Sequence, residues 1–422
     1  MSQRFAENAA VQSATASAVQ RRTLIVLVIM QVVGTVGVGV APSIGILLAS
    51  EVTDNEAWAG LARTASTLGA ALFGLPLGNL AARLGRRFAL AIGWWVAAVG
   101  SAILVAAAQG NMVGPLFIGL LLIGAGSAAA LQSRFAATDL AEPQHKARSL
   151  ALVVWVGTLG SVLGPNLGAP GEIVGAATGL TVFASAFLIA AICLALAGVL
   201  VFVLLRPDPL VMAAQLSGAP PHAASRKGRI RRIFAEVRAN RPARIAVIAI
   251  LTAQIVMVAV MTMTPVHIVH HGGSVNVVGI TISLHVVGMY ALSPVVGWMA
   301  DRYGHRLAMW IGIVIFVLSL LAGAIWPDDM GWIVVSLILL GVGWSFVNVA
   351  GSALFSTSVS AEVRASSQGG VDALSNLFGA TAAFLAGPLL AVSSFATLSL
   401  LSMTVLVPLA ALIVRPLVRP SA

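Results

Sequence analysis

The stretch that decides the fold is Gly297-Trp298-Met299-Ala300-Asp301-Arg302-Tyr303-Gly304-His305-Arg306, because a partial copy stands 219 residues earlier. The copy is Gly78-Asn79-Leu80-Ala81-Ala82-Arg83-Leu84-Gly85-Arg86-Arg87; its first glycine, its Arg-x-Gly and its last arginine align with the later stretch. A second pair, Gly124-Ala125-Gly126 and Gly341-Val342-Gly343, is 217 residues apart. Repetition at a nearly constant interval predicts a chain built from two similar halves.

The composition places both halves in a membrane. The 422 residues are 59% hydrophobic and 9% charged, with a mean hydropathy of +0.99, whereas soluble domains carry about 25% charged residues. This excludes an ordinary cytosolic enzyme, a disordered chain and a nucleic-acid-binding module. The formal net charge is +10, but the basic residues stand in short gaps between apolar runs. The single cysteine, Cys193, cannot form an internal disulfide.

Twelve apolar runs are long enough to cross a membrane. A helix needs about 20 residues to span the hydrocarbon core, and the backbone in lipid must satisfy its own polar groups, which makes these runs helices. The period-two alternation of a membrane β-barrel is missing from the sequence. The predicted fold is an all-α integral membrane protein with two pseudo-symmetric six-helix bundles and spans at 23–49, 57–80, 88–108, 113–136, 149–170, 178–204, 244–268, 276–299, 307–326, 331–355, 368–390 and 394–414.

Lysine and arginine residues predict the orientation. They lie at the N-terminus, in the gaps after even-numbered runs and at the C-terminus, and the gaps after odd-numbered runs hold none. The positive-inside rule therefore places both termini in the cytoplasm of a multi-pass protein of the plasma membrane, in bacteria the cytoplasmic membrane. The first run is too long for a removable signal peptide. The predicted parts are an N-terminal tail (1–22), a first bundle (23–205), a basic cytoplasmic linker (206–243), a second bundle (244–414) and a C-terminal tail (415–422).

The pattern Gly-x-x-x-Asp-Arg-x-Gly-x-Arg resembles the signature loop of the major facilitator superfamily, in full after the eighth run and in part after the second. The resemblance covers essentially the whole chain, because loop, run number and repeat agree. It implies secondary transport by alternating access, with a proton gradient as the expected driving force. It also implies a conformational-gating role for Gly78, Arg83, Gly85, Arg87, Gly297, Asp301, Arg302, Gly304 and Arg306.

Charges inside or beside the runs leave alternatives open. Ala82 stands where the signature loop usually has an acid; Asp372 in the eleventh run either supplies the missing carboxylate or is a plain acid at a helix start. Arg63 either extends to the outer face or faces the cavity. Arg134 either extends to the inner face or pairs with Asp139.

The seventh and eighth runs carry the candidate substrate site. Met257 and Met261 are four residues apart and share a helix face, and His285 and Met289 repeat this spacing in the next run. Both pairs fall near mid-membrane, where transporters of this architecture bind substrate. Thioether sulfur and imidazole suit Cu(I). The candidate substrate-binding residues are Met257, Met261, His285, Met289, Gln254 and His267, of which the first four are the candidate metal ligands.

These residues resemble those of the CcoA-like copper importers of bacteria, which carry Met-x-x-x-Met and His-x-x-x-Met at the same places. The resemblance implies copper as a transported substrate and no tightly bound cofactor. Relatives proposed to move other solutes, including riboflavin, share the scaffold. The alternative is therefore a proton-coupled transporter of a small organic solute, either a riboflavin-like compound or an exported drug. Methionines four residues apart on an apolar helix also occur as plain packing.

Enzyme signatures are missing from the sequence. It contains no P-loop, nucleophile elbow, HExxH motif or acidic metal cluster. We therefore predict no catalytic site and no direct use of ATP. The expected partners are a small-molecule or metal-ion substrate and membrane lipids, without nucleic acid, and the protein is expected to act as a monomer.

Overall fold

The computed structural model describes residues 2–55, 57–142, 145–217, 238, 240–359 and 361–414, and the regular structure of these residues is all helical. Twelve of the described helical segments are long and apolar enough to cross a membrane, which confirms the predicted number. We number them as spans 1 to 12: Ala16–Thr53, Trp58–Leu84, Arg86–Gly110, Val113–Ala136, Arg148–Asn166, Val182–Leu216, Arg241–His270, Val275–Tyr303, His305–Ile325, Met330–Ser358, Gly370–Val392 and Phe395–Val414.

Several spans consist of more than one helix. The helices of spans 1 to 6 are Ser2–Gly39, Ile46–Thr53, Ala57–Leu84, Arg86–Gly110, Val113–Ala136, Lys146–Leu163, Gly168–Thr178, Val182–Leu204 and Pro209–Ser217. Those of spans 7 to 12 are Arg241–His270, Val275–Tyr290, Ser293–Tyr303, His305–Ile325, Met330–Ser358, Ala361–Val392, Phe395–Thr404 and Leu406–Val414. Prolines lie at the breaks in spans 1, 5 and 8, because proline lacks the N–H that continues a helix; they are Pro42, Pro165 and Pro294.

Two helices begin earlier than the sequence predicts. The helix of span 1 starts at Ser2, so the predicted N-terminal tail is helical from that residue. The helix of span 7 starts at Arg241 rather than at Arg244. Its N-cap is Asn240, whose side-chain oxygen accepts a hydrogen bond from the Ala243 N–H at 3.3 Å. An asparagine cap followed by a proline in the first turn favours this start.

Two predicted segments fall partly or wholly outside the described residues. Of the linker, 206–243, residues 218–237 and 239 lie outside them, and its helix Pro209–Ser217 is described. The C-terminal tail, 415–422, lies outside them entirely.

The chain forms two compact units. The first comprises Met1–Ala41 and Leu68–Ala224, and the second comprises Pro42–Thr67 and Ser225–Ala422. The part of span 2 that ends at Thr67 therefore belongs to the second unit. The division into bundles at 23–205 and 244–414 was inferred from the repeat and stays a prediction.

Close glycine contacts join corresponding helices in the two halves of the sequence. Gly69 of span 2 lies against the carbonyl of Leu121 in span 4, and a Cβ on Gly288 of span 8 would stand 2.9 Å from the carbonyl oxygen of Ile338 in span 10. The two glycines are 219 residues apart and the two carbonyl residues 217. Small residues let helix backbones approach closely in membranes, and the repeat preserves this contact.

A tryptophan forms the centre of the core in the first unit. Trp94 of span 3 is fully buried beside Leu27 and Met30 of span 1. A Cβ on Gly34 would stand 2.5 Å from its ring, and a Cβ on Gly126 would stand 3.3 Å from it. Glycine at both positions makes room for the indole, and such packing contributes to helix association in lipid.

Candidate functional site

His285 is fully buried in span 8, and one of its ring nitrogens has a partner. Nδ1 lies 2.7 Å from the carbonyl oxygen of Leu337 in span 10. A carbonyl only accepts, so Nδ1 carries the proton and donates. Nε2 is buried, and no described group forms a hydrogen bond with it. In the neutral ring Nε2 is therefore an unused acceptor.

A glycine in span 10 allows this contact. A Cβ on Gly341 would collide with the carbonyl of His285 and would stand 3.1 Å from the Met289 nitrogen. Without a side chain at that position, the backbone of span 8 approaches span 10 closely enough for the imidazole to reach Leu337. The glycine pair of the sequence repeat thus contributes directly to the position of a candidate site residue.

The three candidate methionines are also buried. Met257 and Met261 of span 7 are 4% and 7% exposed, and Met289 of span 8 is 7% exposed. Spans 7 and 8 touch, but span 8 packs mainly against span 10. Among the described residues, no group of three His, Cys, Asp or Glu could hold a metal ion. A metal ion in this region would depend on methionine sulfur and His285, and their shared role stays a prediction.

Gln254 takes part in a polar and aromatic cluster. Its Oε1 accepts a hydrogen bond from Trp344 Nε1 of span 10 at 3.3 Å, and a Cβ on Gly379 of span 11 would stand 3.3 Å from its side chain. The ring of Tyr290, in span 8, lies 5.8 Å from that of Trp344 in an edge-on arrangement. We call Gln254, Tyr290 and Trp344 the mid-span cluster.

The mid-span cluster lies near the middle of its helices. Trp344 is the central residue of Met330–Ser358, and Gln254 is next to the centre of Arg241–His270. Tyr290 ends the first helix of span 8, at the break before Pro294. A hydrogen-bonding amide beside two aromatic rings at this depth can contact both the polar edge and the flat face of a planar solute.

His267 belongs to a separate cluster at the end of span 7. Its Nε2 donates to the Pro327 carbonyl at 2.6 Å, and its ring stacks on Phe395 with centroids 4.4 Å apart. His271 donates from Nδ1 to the His267 carbonyl at 2.9 Å and from Nε2 to the Asp328 carboxylate at 3.0 Å. Both nitrogens therefore carry protons, and His271 is a cation paired with Asp328. These contacts join the ends of spans 7, 10 and 12, and a substrate contact by His267 stays a prediction.

The first copy of the signature loop is held by a carboxylate that sequence reasoning missed. Asp208, just after span 6, accepts hydrogen bonds from the backbone N–H groups of Arg87 at 2.8 Å, Leu210 at 3.0 Å and Val211 at 3.3 Å. It thus caps two helix starts at once, and helix N-termini favour negative charge. Gly85 has a φ of +91° and lies directly beside this carboxylate.

Further contacts of the first copy run to span 4. Arg86 donates from Nε to Asp139 Oδ2 at 2.8 Å and from its terminal nitrogens to Asp139 Oδ1 at 3.2 Å and to Gln132 Oε1 at 3.3 Å. Gln132 donates onward to the Gly74 carbonyl at 3.3 Å, and a Cβ on Gly78 would stand 3.3 Å from its Nε2. The loop and span 4 therefore form one polar network within the first unit.

The arginines of the first copy lie in different environments. Arg83 is exposed. The guanidinium of Arg87 lies over the rings of Phe88 and Phe202, 4.6 Å and 4.8 Å from their centroids. Aromatic faces attract such a cation. Arg134, near the end of span 4, donates from Nε to the Leu131 carbonyl at 3.2 Å.

The second copy of the loop is more open. Asp301 and Arg302 are exposed, and the Arg302 guanidinium lies 5.8 Å from the ring centroid of Tyr303. Gly304 has a φ of +95°, and a Cβ on Gly297 or Gly304 would meet no described atom within 4 Å. Arg306 is partly buried. Asp372 is exposed in span 11. The gating role of both copies stays a prediction.

Sequence reasoning missed Trp344, Tyr290 and Asp208. Trp344 directly follows the repeated Gly-x-Gly of span 10, and a lone aromatic beside small residues at the centre of a span is a detectable signal. Asp208 stands between Pro207 and Pro209 after span 6, and an acid before a proline-led helix is an N-cap signal. The partner of Asp208 across the chain had no signal of its own.

We expect Gly85→Ala to destabilise the protein more than Gly304→Ala. Both glycines have a positive φ, so backbone strain is common to the two variants. Only at Gly85 would the new Cβ also press on Asp208, 2.7 Å from its Cγ. The expected difference is about 1–3 kcal/mol, seen as a lower Tm of the purified protein. Equal Tm values for the two variants would contradict this assignment of Asp208.

Comparisons with known proteins agree with this architecture. The family model described as Major Facilitator Superfamily matches residues 23–274 and 266–422. The uncharacterized MFS-type transporter YdeG of Bacillus subtilis is 38% identical over 385 residues, which cover 90% of this chain and 88% of YdeG. The riboflavin transporter RfnT of Brucella anthropi is 30% identical over 405 residues, which cover 94% of this chain and 95% of RfnT.

Solved structures share the fold. The nucleoside transporter NupG aligns with a TM-score of 0.71 at 18% identity, over 93% of this chain and 100% of NupG. A bacterial homologue of the human lysosomal transporter Spinster, in an inward-facing unoccupied conformation, aligns with a TM-score of 0.70 at 15% identity, over 94% and 96% of the two chains. At these identities the likeness concerns the fold alone, and it confirms the predicted all-α architecture.

Proposed function

The chain belongs to the major facilitator superfamily and is a transporter rather than an enzyme, and from this premise we propose that it moves a flavin-type aromatic solute across the membrane. The observation that carries the proposal is the mid-span cluster, where Gln254 accepts a hydrogen bond from Trp344 beside the ring of Tyr290. A flavin has a flat ring system with a polar edge. The 30% identity to a riboflavin transporter over nearly the whole chain supports the same class of solute.

The proposed mechanism is alternating access, with the mid-span cluster as part of the binding site. Aromatic rings stack on a planar solute, and an amide offers a donor and an acceptor to its edge. Transporters of this architecture bind substrate near mid-membrane, the depth at which Gln254 and Trp344 lie. Proton coupling is an expectation from the family.

We expect Trp344→Ala to reduce riboflavin uptake several-fold. Loss of a stacked aromatic ring removes about 0.5–1.5 kcal/mol beyond area burial. The measurement is uptake of radiolabelled riboflavin by cells that lack their own riboflavin transporter, normalised to the amount of protein in the membrane. The matched control is Trp332→Ala, because Trp332 is 41% exposed at the end of the same span. Equal uptake by wild type and Trp344→Ala would contradict the proposal, and depletion instead of accumulation would indicate export.

Copper uptake is the second candidate, and His285 is the observation that favours it. Its Nε2 is buried, has no described partner and is an unused acceptor. Imidazole nitrogen and methionine sulfur are suitable ligands for Cu(I). The buried Met257 and Met261 lie on the neighbouring span, so this site remains the one proposed from the sequence.

For the copper alternative, we expect His285→Ala and Met261→Leu to lower radiocopper uptake. Met309→Leu is the matched control, because Met309 is fully buried in span 9 and exchange of Met for Leu conserves volume. All variants are compared at equal amounts in the membrane. Uptake that is the same in wild type, His285→Ala and Met261→Leu would leave copper without support.

We also propose a plasma-membrane location with both termini in the cytoplasm. The support is the division of charge between alternate gaps. A fluorescent protein that matures only in the cytoplasm is expected to fluoresce when fused to the C-terminus, and alkaline phosphatase fused there is expected to be inactive. The opposite pattern would reverse the proposed orientation.

A further inference from the structure

Arg63 is a cation inside a membrane span. It stands five residues after Trp58, where span 2 begins, and its side chain is partly buried. A guanidinium in hydrocarbon is costly, so such residues usually face protein or a water-filled cavity and have a partner. A functional role is therefore the first hypothesis for this charge.

The neighbours of Arg63 fix the face of the helix. Thr64 donates a hydrogen bond from Oγ1 to the Ala380 carbonyl of span 11 at 3.0 Å. Gly60 lies directly against the Ala383 carbonyl of the same span. Because Gly60 and Thr64 share one helix face, that face packs against span 11 within the second unit. Arg63 lies on the flank of this packed face.

The chain offers Arg63 no carboxylate. Among the described residues, none forms an ion pair with its guanidinium and none accepts a hydrogen bond from it. Arg86, by contrast, binds both oxygens of Asp139. The five N–H donors of Arg63 are therefore available for a ligand.

His285 offers a complementary group in the same unit. The charge of Arg63 acts on His285 through space. Nδ1 of His285 is occupied by the Leu337 carbonyl, so in the neutral ring Nε2 presents a lone pair. The two side chains together thus present a cationic donor fork and a neutral acceptor.

We propose that Arg63 and His285 bind a phosphate monoanion carried by the transported solute. This inference rests on the proposed function and narrows it from flavins in general to phosphorylated flavins. The guanidinium donates to two unprotonated phosphate oxygens, and the remaining P–O–H donates to His285 Nε2. A sulfate or a carboxylate satisfies the guanidinium but has no O–H for the imidazole.

The phosphate chemistry has two sources, a free solute and a phospholipid headgroup. A phospholipid diester also carries a negative charge but has no P–O–H. The flank position of Arg63 beside the packed face favours the solute. An experiment that separates phosphate from sulfate, and both from lipid, therefore distinguishes the sources.

The test measures the Tm of the purified full chain in a neutral, lipid-free detergent at pH 5.5, where the phosphate monoanion predominates. Inorganic phosphate, sulfate and chloride are compared at equal ionic strength. Phosphate is expected to raise the wild-type Tm by roughly 2 °C more than sulfate does. Arg63→Gln is expected to lose this rise, and Arg63→Lys to keep part of it. Arg134→Gln is the matched control and is expected to keep all of it.

His285→Ala gives an independent readout. It is expected to remove the preference for phosphate over sulfate while both anions still act through Arg63. Equal shifts in wild type and Arg63→Gln, or equal shifts by phosphate and sulfate in wild type, would overturn the proposal. Stabilisation by phosphatidylglycerol without any effect of phosphate would assign Arg63 to lipid and would overturn it as well.

A second arm separates this proposal from the proposed function. Binding of flavin mononucleotide and riboflavin is measured by quenching of protein fluorescence. We expect wild type to prefer the phosphorylated flavin at least about tenfold, as one added ionic contact would give, and Arg63→Gln to lose the preference. If neither flavin binds but the phosphate effect persists, the flavin proposal fails and the phosphate site stands. If both flavins bind equally to both proteins, the phosphate site fails and the flavin proposal stands.

Discussion

The hydrogen bond from His285 Nδ1 to the Leu337 carbonyl is the interaction on which the candidate site depends. An imidazole fully buried in a membrane span is expensive unless its polar atoms have partners. Here one nitrogen is satisfied and the other is not. The bond therefore fixes the tautomer, holds the ring against span 10 and leaves Nε2 as the acceptor that a solute or an ion can use.

That bond is possible because glycine lets two helix backbones approach. Span 8 meets span 10 at Gly288 and Gly341, as span 2 meets span 4 at Gly69. The residue 219 positions before His285 is Ser66, whose hydroxyl donates to the Arg63 carbonyl in its own helix at 2.9 Å. The two halves thus share their packing but differ in chemistry at this position. The repeat supplies a common scaffold, and single substitutions on it make one half the candidate binding half.

The fold and part of the site are readable from the sequence for physical reasons. Hydropathy reports the spans because length and composition suffice to cross a lipid bilayer, and the twelve spans are confirmed. His285 stands out because an ionisable residue in an apolar run is costly. The roles of Trp344 and Asp208 could not be predicted, because they depend on contacts with Gln254 and Arg87 that lie far away in the sequence. The closer resemblance to copper importers stays a prediction, since spacing alone cannot distinguish methionine ligands from methionine packing.

The central claim is that the solute binds beside the mid-span cluster of the second half of the chain. The most direct measurement is an experimental structure of the protein with a flavin bound. The account predicts the isoalloxazine ring against Trp344, with its polar edge at Gln254. A flavin bound away from spans 7, 8 and 10 would contradict it.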